Sequence, residues 1–371
     1  MQTKLVHTVR DVERDVWNKI LKGPLHSYEW FCYIEEQYKH DYIPYYFLFY
    51  EQDLLSFILP MFVPIIEFNT YNRIYWGRFQ KFVKFLPGLQ KKPLICFSPN
   101  PNTSTAGLFK FNKICKETLH EIIASIDEFS KSNSITEIVF MFILEENMQE
   151  IKILENHGYS KVYLASSGVL ENSFHSFDDY LLSLTKKRRK VVRNEINKFS
   201  KCGANLEVIE RPVDELETLH KLADNIQEKH NAGFHPYSAE KMKSVFENMK
   251  PYLTCIAAKA GDEIIGSLSI LEKDGFMTTY GLGLDYEKAR DNGMYFYMAY
   301  YNTIMEMIKR GINSIDFDIY AYKAKERRGC RLVPQYVVIK PLKHKLFFTI
   351  WQHVLNRQYK KKFLDSYNSN R

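Results

Sequence analysis

The sequence predicts an α/β chain in two domains, each a hairpin-rich mixed sheet with helices packed on it. Three observations carry this. With 371 residues the chain is long for one core and comfortable for two. Short apolar runs of strand character alternate with segments of helical period. The same coarse grammar of helices and strands occurs in both halves, without an alignable repeat. The expected domains are residues 1–165 and 166–371, divided at Ser166-Ser167-Gly168.

The elements follow in order. Residues 11–38 read as helix, with Val16, Trp17, Ile20, Leu21, Trp30, Phe31 and Ile34 forming an apolar stripe. Tyr45 to Tyr50 and Leu54 to Leu59, separated by Glu51-Gln52-Asp53, have the pattern of a hairpin. After a long aromatic loop come a helix from Thr118 to Lys131, a buried strand from Glu137 to Ile143, a helix ending near Gly158, and a strand from Lys161 to Ala165. In the second half the order is a helix from Phe177 to Ser200, a strand from Asn205 to Glu210, and helices from Val213 to His230 and Ala239 to Met249. Strands from Tyr252 to Ala260, Ile264 to Glu272 and Phe276 to Leu284 follow. A helix from Met294 to Lys309, stopped by Gly311, and a strand from Ser314 to Ile319 complete the pattern.

Composition narrows the class. Hydrophobic residues at 45% and charged residues at 26% give the ordinary globular balance and argue against a disordered or fibrous chain. Six widely spaced cysteines with no CxxC pair give no zinc site, so no metal is expected, and free thiols suit a reducing compartment. The first residues lack an apolar signal core, which makes a cytoplasmic location the expectation. The most apolar run, Leu54 to Ile66, is broken by Pro60 and Pro64 and is too short to span a bilayer. Residues 343–363 set Leu346, Phe347, Ile350, Trp351, Val354 and Leu355 at helical spacing among six cations, a pattern for peripheral membrane contact or for a last helix docked on its own domain.

The net charge of +7 is locally concentrated. Between Lys186 and Lys201 eight cations fall within sixteen residues, opposed only by Glu195. Phe177, Leu181, Leu184, Val192, Ile196 and Phe199 set the buried line of that helix, and Arg188 falls on it. Arg189 and Arg193, one turn apart, could grip one phosphate or carboxylate; the alternative is a solvated charge run. A second cationic cluster, Lys323 to Arg328, directly follows the strand holding Asp316 and Asp318. Cations past a strand end suit an oxyanion site, and the two aspartates, two residues apart on a strand, share a face and could supply a base or pair with the lysines. Tyr280 begins a strand-end segment containing Gly281 and Gly283. No phosphate loop, nucleophile elbow, HExxH or dinucleotide fingerprint is present, so hydrolase, ATPase and dehydrogenase readings lack support.

Several stretches together resemble the peptidoglycan biosynthesis or recognition proteins related to the FemABX aminoacyltransferases. Trp17 with Pro24-Leu25-His26-Ser27 is similar to the family's opening segment, and Pro99 to Gly107 to its "PFTPxxG" loop. Ser176 to Leu181 leading into Arg189 to Glu195 resembles "sFddfL…RKxIRrE". Met294 to Ile304 resembles "LHFEacYYqgI", with Tyr295 and Tyr297 where the family has His and Glu, and Lys325 to Cys330 resembles "HKiaRGF".

The resemblance implies two tandem GNAT-like domains of the acyl-CoA N-acyltransferase fold, FemABX-like, with the active site in the second. It implies amide-bond formation between an amine acceptor, such as a precursor, and an activated donor: acyl-CoA, acyl carrier protein or aminoacyl-tRNA, with no tightly bound cofactor. Lys325, Asp316, Asp318, Tyr295 and Tyr297 are then the catalytic candidates. Arg188, Arg189, Arg193, Lys323, Arg328 and Tyr280 are those for substrate or phosphate. The competing expectations are a non-catalytic module binding a cell-wall precursor or polyanion and, from the basic helix alone, a tRNA-binding accessory protein.

Overall fold

A computed structural model of the chain describes residues 1–65, 92–98, 115–229, 238–289, 292–343 and 345–369. The stretch Pro99 to Gly107, expected to be a family loop, lies outside them. Two compact units emerge: residues 1–21, 26–167 and 333–371 form unit 1, and residues 22–25 and 168–332 form unit 2. The sequence expectation is a division near residue 166 with residues 333–371 in the second domain; the units divide between 167 and 168, and residues 333–371 group with unit 1. The hydrogen bonding described next explains why.

Unit 1 begins with strand β1 (Gln2–Val6), helix α1 (Arg14–Ile20) and helix α2 (Tyr28–Tyr38). The single helix expected over 11–38 is thus two, because Gly23 and Pro24 break it and Ser27 caps the second by accepting from the Trp30 amide. Strands β2 (Tyr42–Glu51) and β3 (Leu54–Pro64) form the expected hairpin, turned at Gln52 and Asp53 with φ of 49° and 63°. Then come β4 (Pro93–Cys96), α3 (Lys116–Ser132), β5 (Glu137–Leu144), α4 (Met148–Asn156) and β6 (Ser160–Glu171). Trp17, Phe31, Tyr46 and Phe62 meet in edge-to-face contacts at the centre of its core.

Unit 2 continues with α5 (Phe177–Ser183), α6 (Lys186–Ser200), β7 (Asn205–Ile209), α7 (Leu216–Lys229) and α8 (Ala239–Asn248). The helix expected over 177–200 is broken at Leu184, since Thr185 takes an extended conformation and caps α6 through the Arg188 amide. Strands β8 (Leu253–Ala260), β9 (Glu263–Lys273) and β10 (Phe276–Leu284) form an antiparallel meander. The expected helix over 294–309 has three parts: α9 (Met294–Phe296), a π-helical segment (Tyr297–Asn302) and α10 (Thr303–Lys309). Strand β11 (Ser314–Asp316) is half its expected length, and α11 (Tyr322–Glu326) follows. The chain then returns to unit 1 as β12 (Arg331–Pro341) and α12 (Lys345–Ser369).

Strand order in unit 1 is β1-β2-β3-β4-β5-β12-β6. β12 runs antiparallel to β5, from Gln335 opposite Leu144 to Pro341 opposite Glu137, which ties the C-terminal segment to unit 1. In unit 2 the order is β6-β11-β10-β9-β8-β7, with the end of β6 pairing β11 through Val169, Leu170 and Glu171.

Candidate functional site

Three features of unit 2 converge around β10 and β11. The two strands are parallel, but their pairing covers only Phe276 with Ser314, Met277 with Ile315 and Thr278 with Asp316. β11 stops there while β10 runs on to Leu284. Every second residue of β10 beyond Thr278 therefore turns its N–H and C=O toward the side that β11 has left. This opens the sheet at the carboxyl ends of two parallel strands, where α/β sheets usually take ligands. A β-bulge between Thr279 and Gly281 re-aims the strand at Tyr280, whose side chain is buried and lines a cleft with Phe246, Ser269, Gly281 and Gly283.

Why β11 ends at Asp316 is local chemistry. The Asp316 carboxylate accepts from the Asp318 amide at 2.8 Å, bending the backbone two residues on. Asp318, Tyr320 and Ala321 all have positive φ, of 63°, 65° and 47°, uncommon for residues with a Cβ. Asp316 and Asp318 are both half-buried, but they do not share a strand face as expected, because the extended conformation is gone by Asp318.

Lys325 holds this loop. It is 3% exposed, and its ammonium donates to the carbonyls of Asp318 at 2.5 Å and Ile319 at 2.9 Å. Burial lowers its pKa while the Asp318 and Asp316 carboxylates oppose that shift. Gly168 is the reason it fits, since a Cβ there would sit 2.4 Å from Lys325 Cδ. Lys323, on the same short helix, is half-buried.

The remaining cations separate by burial. Arg328 lies in the interior, its Nη2 donating to Glu195 at 2.8 Å and its guanidinium 4.1 Å from the Phe296 ring centre and 4.7 Å from that of Tyr300. The Tyr301 hydroxyl also donates to Glu195, and the Tyr180 hydroxyl to the Arg328 carbonyl at 3.1 Å. Arg328, a candidate for substrate or phosphate on the sequence reading, thus ties α6 to the π-helical segment and α11. Arg188 is half-buried and donates to the carbonyl of Glu326, the last residue of α11, a favourable placement of positive charge at a helix C-terminus. Arg189 is half-buried and Arg193 exposed, and among the described residues neither has a carboxylate partner. Lys186, Lys187, Lys190 and Lys198 are exposed beside them on α6.

Tyr295 and Tyr297 are partly buried, Tyr297 stacked on Phe199 at 4.0 Å. Burial raises the pKa of both phenols, with Arg328 partly offsetting it at Tyr295. They keep their protons at neutral pH and are weak bases. Among the described residues no group of three or more His, Cys, Asp or Glu could hold a metal ion. What the sequence reading missed is the structural role of Glu195, read as the charge opposing the cations and as the end of the resembling stretch. Its helical register with the buried line of α6 is the signal that could have found it.

The FemAB-like family, described as peptidoglycan biosynthesis/recognition, matches residues 8–362. This chain belongs to the FemAB-like family. A search of curated proteins returned no match. Among solved structures, the fold is similar to FemX with a TM-score of 0.64 at 11% identity, covering 95% of this chain and 100% of that one. It is similar at 0.55 and 12% identity to a conserved protein of unknown function from Bacteroides thetaiotaomicron, covering 91% and 100%. The third is the C-terminal domain of a putative lysylphosphatidylglycerol synthetase from Agrobacterium fabrum, at 0.53 and 12% identity, covering 92% and 96%. At these identities the likeness to the three structures is one of fold.

Proposed function

We propose that unit 2 forms an amide bond between an activated acyl or aminoacyl donor and an amine acceptor. The observation that carries this reading is the opening between β10 and β11, where the free edge of β10 offers backbone amides at fixed positions. In such a transfer the amine nitrogen attacks the donor carbonyl, a C–N bond forms, and the carbonyl oxygen becomes an oxyanion. Amides of Gly281 to Leu284 that face the opening would receive that charge. The intermediate then expels the thiolate or alkoxide, and the amine proton leaves to a base. The half-buried carboxylates of Asp316 and Asp318, at the end of β11, would take that proton. Tyr295 and Tyr297, held as phenols, are better donors to a leaving group than acceptors.

Arg189, Arg193 and the lysines of α6 supply a phosphate-binding face for the donor, whether coenzyme A, a carrier-protein phosphopantetheine or tRNA. Lys325, bonded to two backbone carbonyls, acts as a positioning residue for the loop after β11.

The test is native mass spectrometry of the protein incubated with acyl-CoA, acyl carrier protein and aminoacyl-tRNA pools, then with amine acceptors. The expected result is retention of one donor class and a new amide product. Retention of nothing, with no amide from any pool, overturns it. The burial of Lys325 and the tyrosines in place of His and Glu favour a second reading, a non-catalytic module for precursor or polyanion. That reading expects salt-sensitive binding with no product.

A further inference from the structure

Helix α12 presents two different faces. Phe348 and Leu355 are buried, the Asn356 side chain accepts from the Tyr163 amide at 3.1 Å, and Phe363 meets the Tyr163 ring at 5.7 Å. This face docks the helix on β6. The opposite face is also apolar over its first turns. Leu346 is 77% exposed, Ile350 59%, Phe347 38% and Val354 37%. Leu346, Ile350 and Val354 follow at intervals of four, so they form one stripe. The stripe is bracketed by charge of one sign. Lys343 and Lys345 stand at its start, and the exposed Arg357, Lys360, Lys361 and Lys362 follow it, with Asp365 the single acid from 345 to 369.

We propose that α12 docks unit 1 on an anionic lipid surface, lying in the plane of the interface. The exposed apolar stripe would enter the boundary between headgroups and acyl chains, and the flanking cations would reach the lipid phosphates on their long stems. No described helix is long and apolar enough to cross a membrane, which fits lying on a bilayer rather than in it. The charge also decides between occupants. A second copy of the chain packed on this face would bring two sets of six cations against each other, each relieved by one acid. A surface dense in negative headgroups meets the same cations favourably. This inference is independent of the transferase reading, because vesicle binding is read without any reaction.

The experiment is co-sedimentation of the full chain with vesicles of phosphatidylcholine alone or mixed with phosphatidylglycerol. Two variants accompany it, L346E/I350E and K360Q/K361Q/K362Q. All five side chains are exposed, and circular dichroism melting checks that both variants fold. The wild type is expected to pellet with the mixed vesicles and stay in solution with neutral ones. The glutamine variant should need at least about tenfold more anionic lipid for half-binding, since three of the cations that meet the headgroups are gone. The glutamate variant should fail to pellet. A wild type that stays in solution with anionic vesicles, or either variant pelleting as well as wild type, overturns the proposal. So does a wild-type dimer in solution that L346E/I350E dissociates, which would assign the face to a second copy.

Discussion

Lys325 is a buried ammonium whose partners are carbonyl oxygens rather than solvent. Replacing it with methionine keeps most of the volume but leaves the Asp318 and Ile319 carbonyls without their donor, at about 1–3 kcal/mol for each buried acceptor. K325M should lower the urea midpoint and speed amide exchange in residues 317–321 specifically. Unchanged exchange there would show that the lysine does not hold the loop. The Glu195–Arg328 pair makes a sharper case, because Arg328 is buried, Glu195 is partly so, and Tyr301 shares the carboxylate. Breaking it from one side, as in R328M, should cost about 3–5 kcal/mol, since it strands the other charge. The double variant E195M/R328M should recover much of that, and a double-mutant cycle on unfolding midpoints measures the difference. Burial also lifts the thiols of Cys255 and Cys330 from the ordinary 9.0 to about 11 and about 12. A group whose folded pKa is raised contributes stability that is complete below its unfolded value and is lost as pH climbs through the folded one. Lys325, with its pKa lowered, works the other way, so its burial costs stability at neutral pH and that cost fades as pH nears 10.5. Denaturant midpoints measured from pH 8 to pH 11 should therefore fall above pH 9, and less steeply in C330A.

Among the elements, β10 shows most directly how side-chain size shapes the candidate site. Gly283 has room for nothing larger, because a Cβ would meet Ser267 Oγ at 2.6 Å and the Leu222 backbone at 2.9 Å. Gly283→Ala should push α7 away from β10 and disturb the free strand edge. The expected readout is a protein that still folds cooperatively, with a lowered melting temperature and weakened donor retention in native mass spectrometry. Retention equal to wild type would separate that edge from donor binding. The strand itself was legible from its apolar run, down to its ends. Its bulge was not, because the extra residue at Tyr280 leaves no mark in the alternation of a strand buried on both faces. β11 was misjudged in length for a related reason. Ser314 to Ile319 alternates as a strand should, and only the hydrogen bond from the Asp318 amide to the Asp316 side chain ends it. The π-helical turn in 294–309 hides likewise, since a helical period accommodates one wide turn without a break in the apolar pattern. Arg188 was the opposite case: its place on the buried line of α6 already distinguished it from the exposed Lys186, Lys187 and Lys190.

For the whole molecule, the order of strands matters more than their number. Among the described residues β12 is the last strand, yet it lies between β5 and β6 in unit 1. The sequence reading places no strand at 331–341, and local periodicity carries no information about which strands pair, so a cut near residue 166 seemed sufficient from sequence. The pairing makes unit 1 discontinuous, closed only after unit 2 has been synthesised. A chain ending at Leu332 would thus lack an interior strand and leave β5 and β6 with unpaired edges, an aggregation hazard as well as a loss of core. Val337, Val338 and Ile339, each 3% exposed or less, would go with it. Unit 2 retains every strand from β7 to β11 in such a truncation. The expected outcome is selective. Limited proteolysis of the truncated chain should degrade residues 26–167 rapidly while a fragment spanning roughly 168–332 persists, because loop and strand opening tracks the stability of each cooperative unit separately. Removal of α12 alone, by ending the chain after Lys343, spares β12 and should leave both units resistant. Equal resistance of the two truncations would mean that β12 is dispensable to unit 1. Equal loss of both units on truncation at Leu332 would mean that unit 2 does not hold its fold independently.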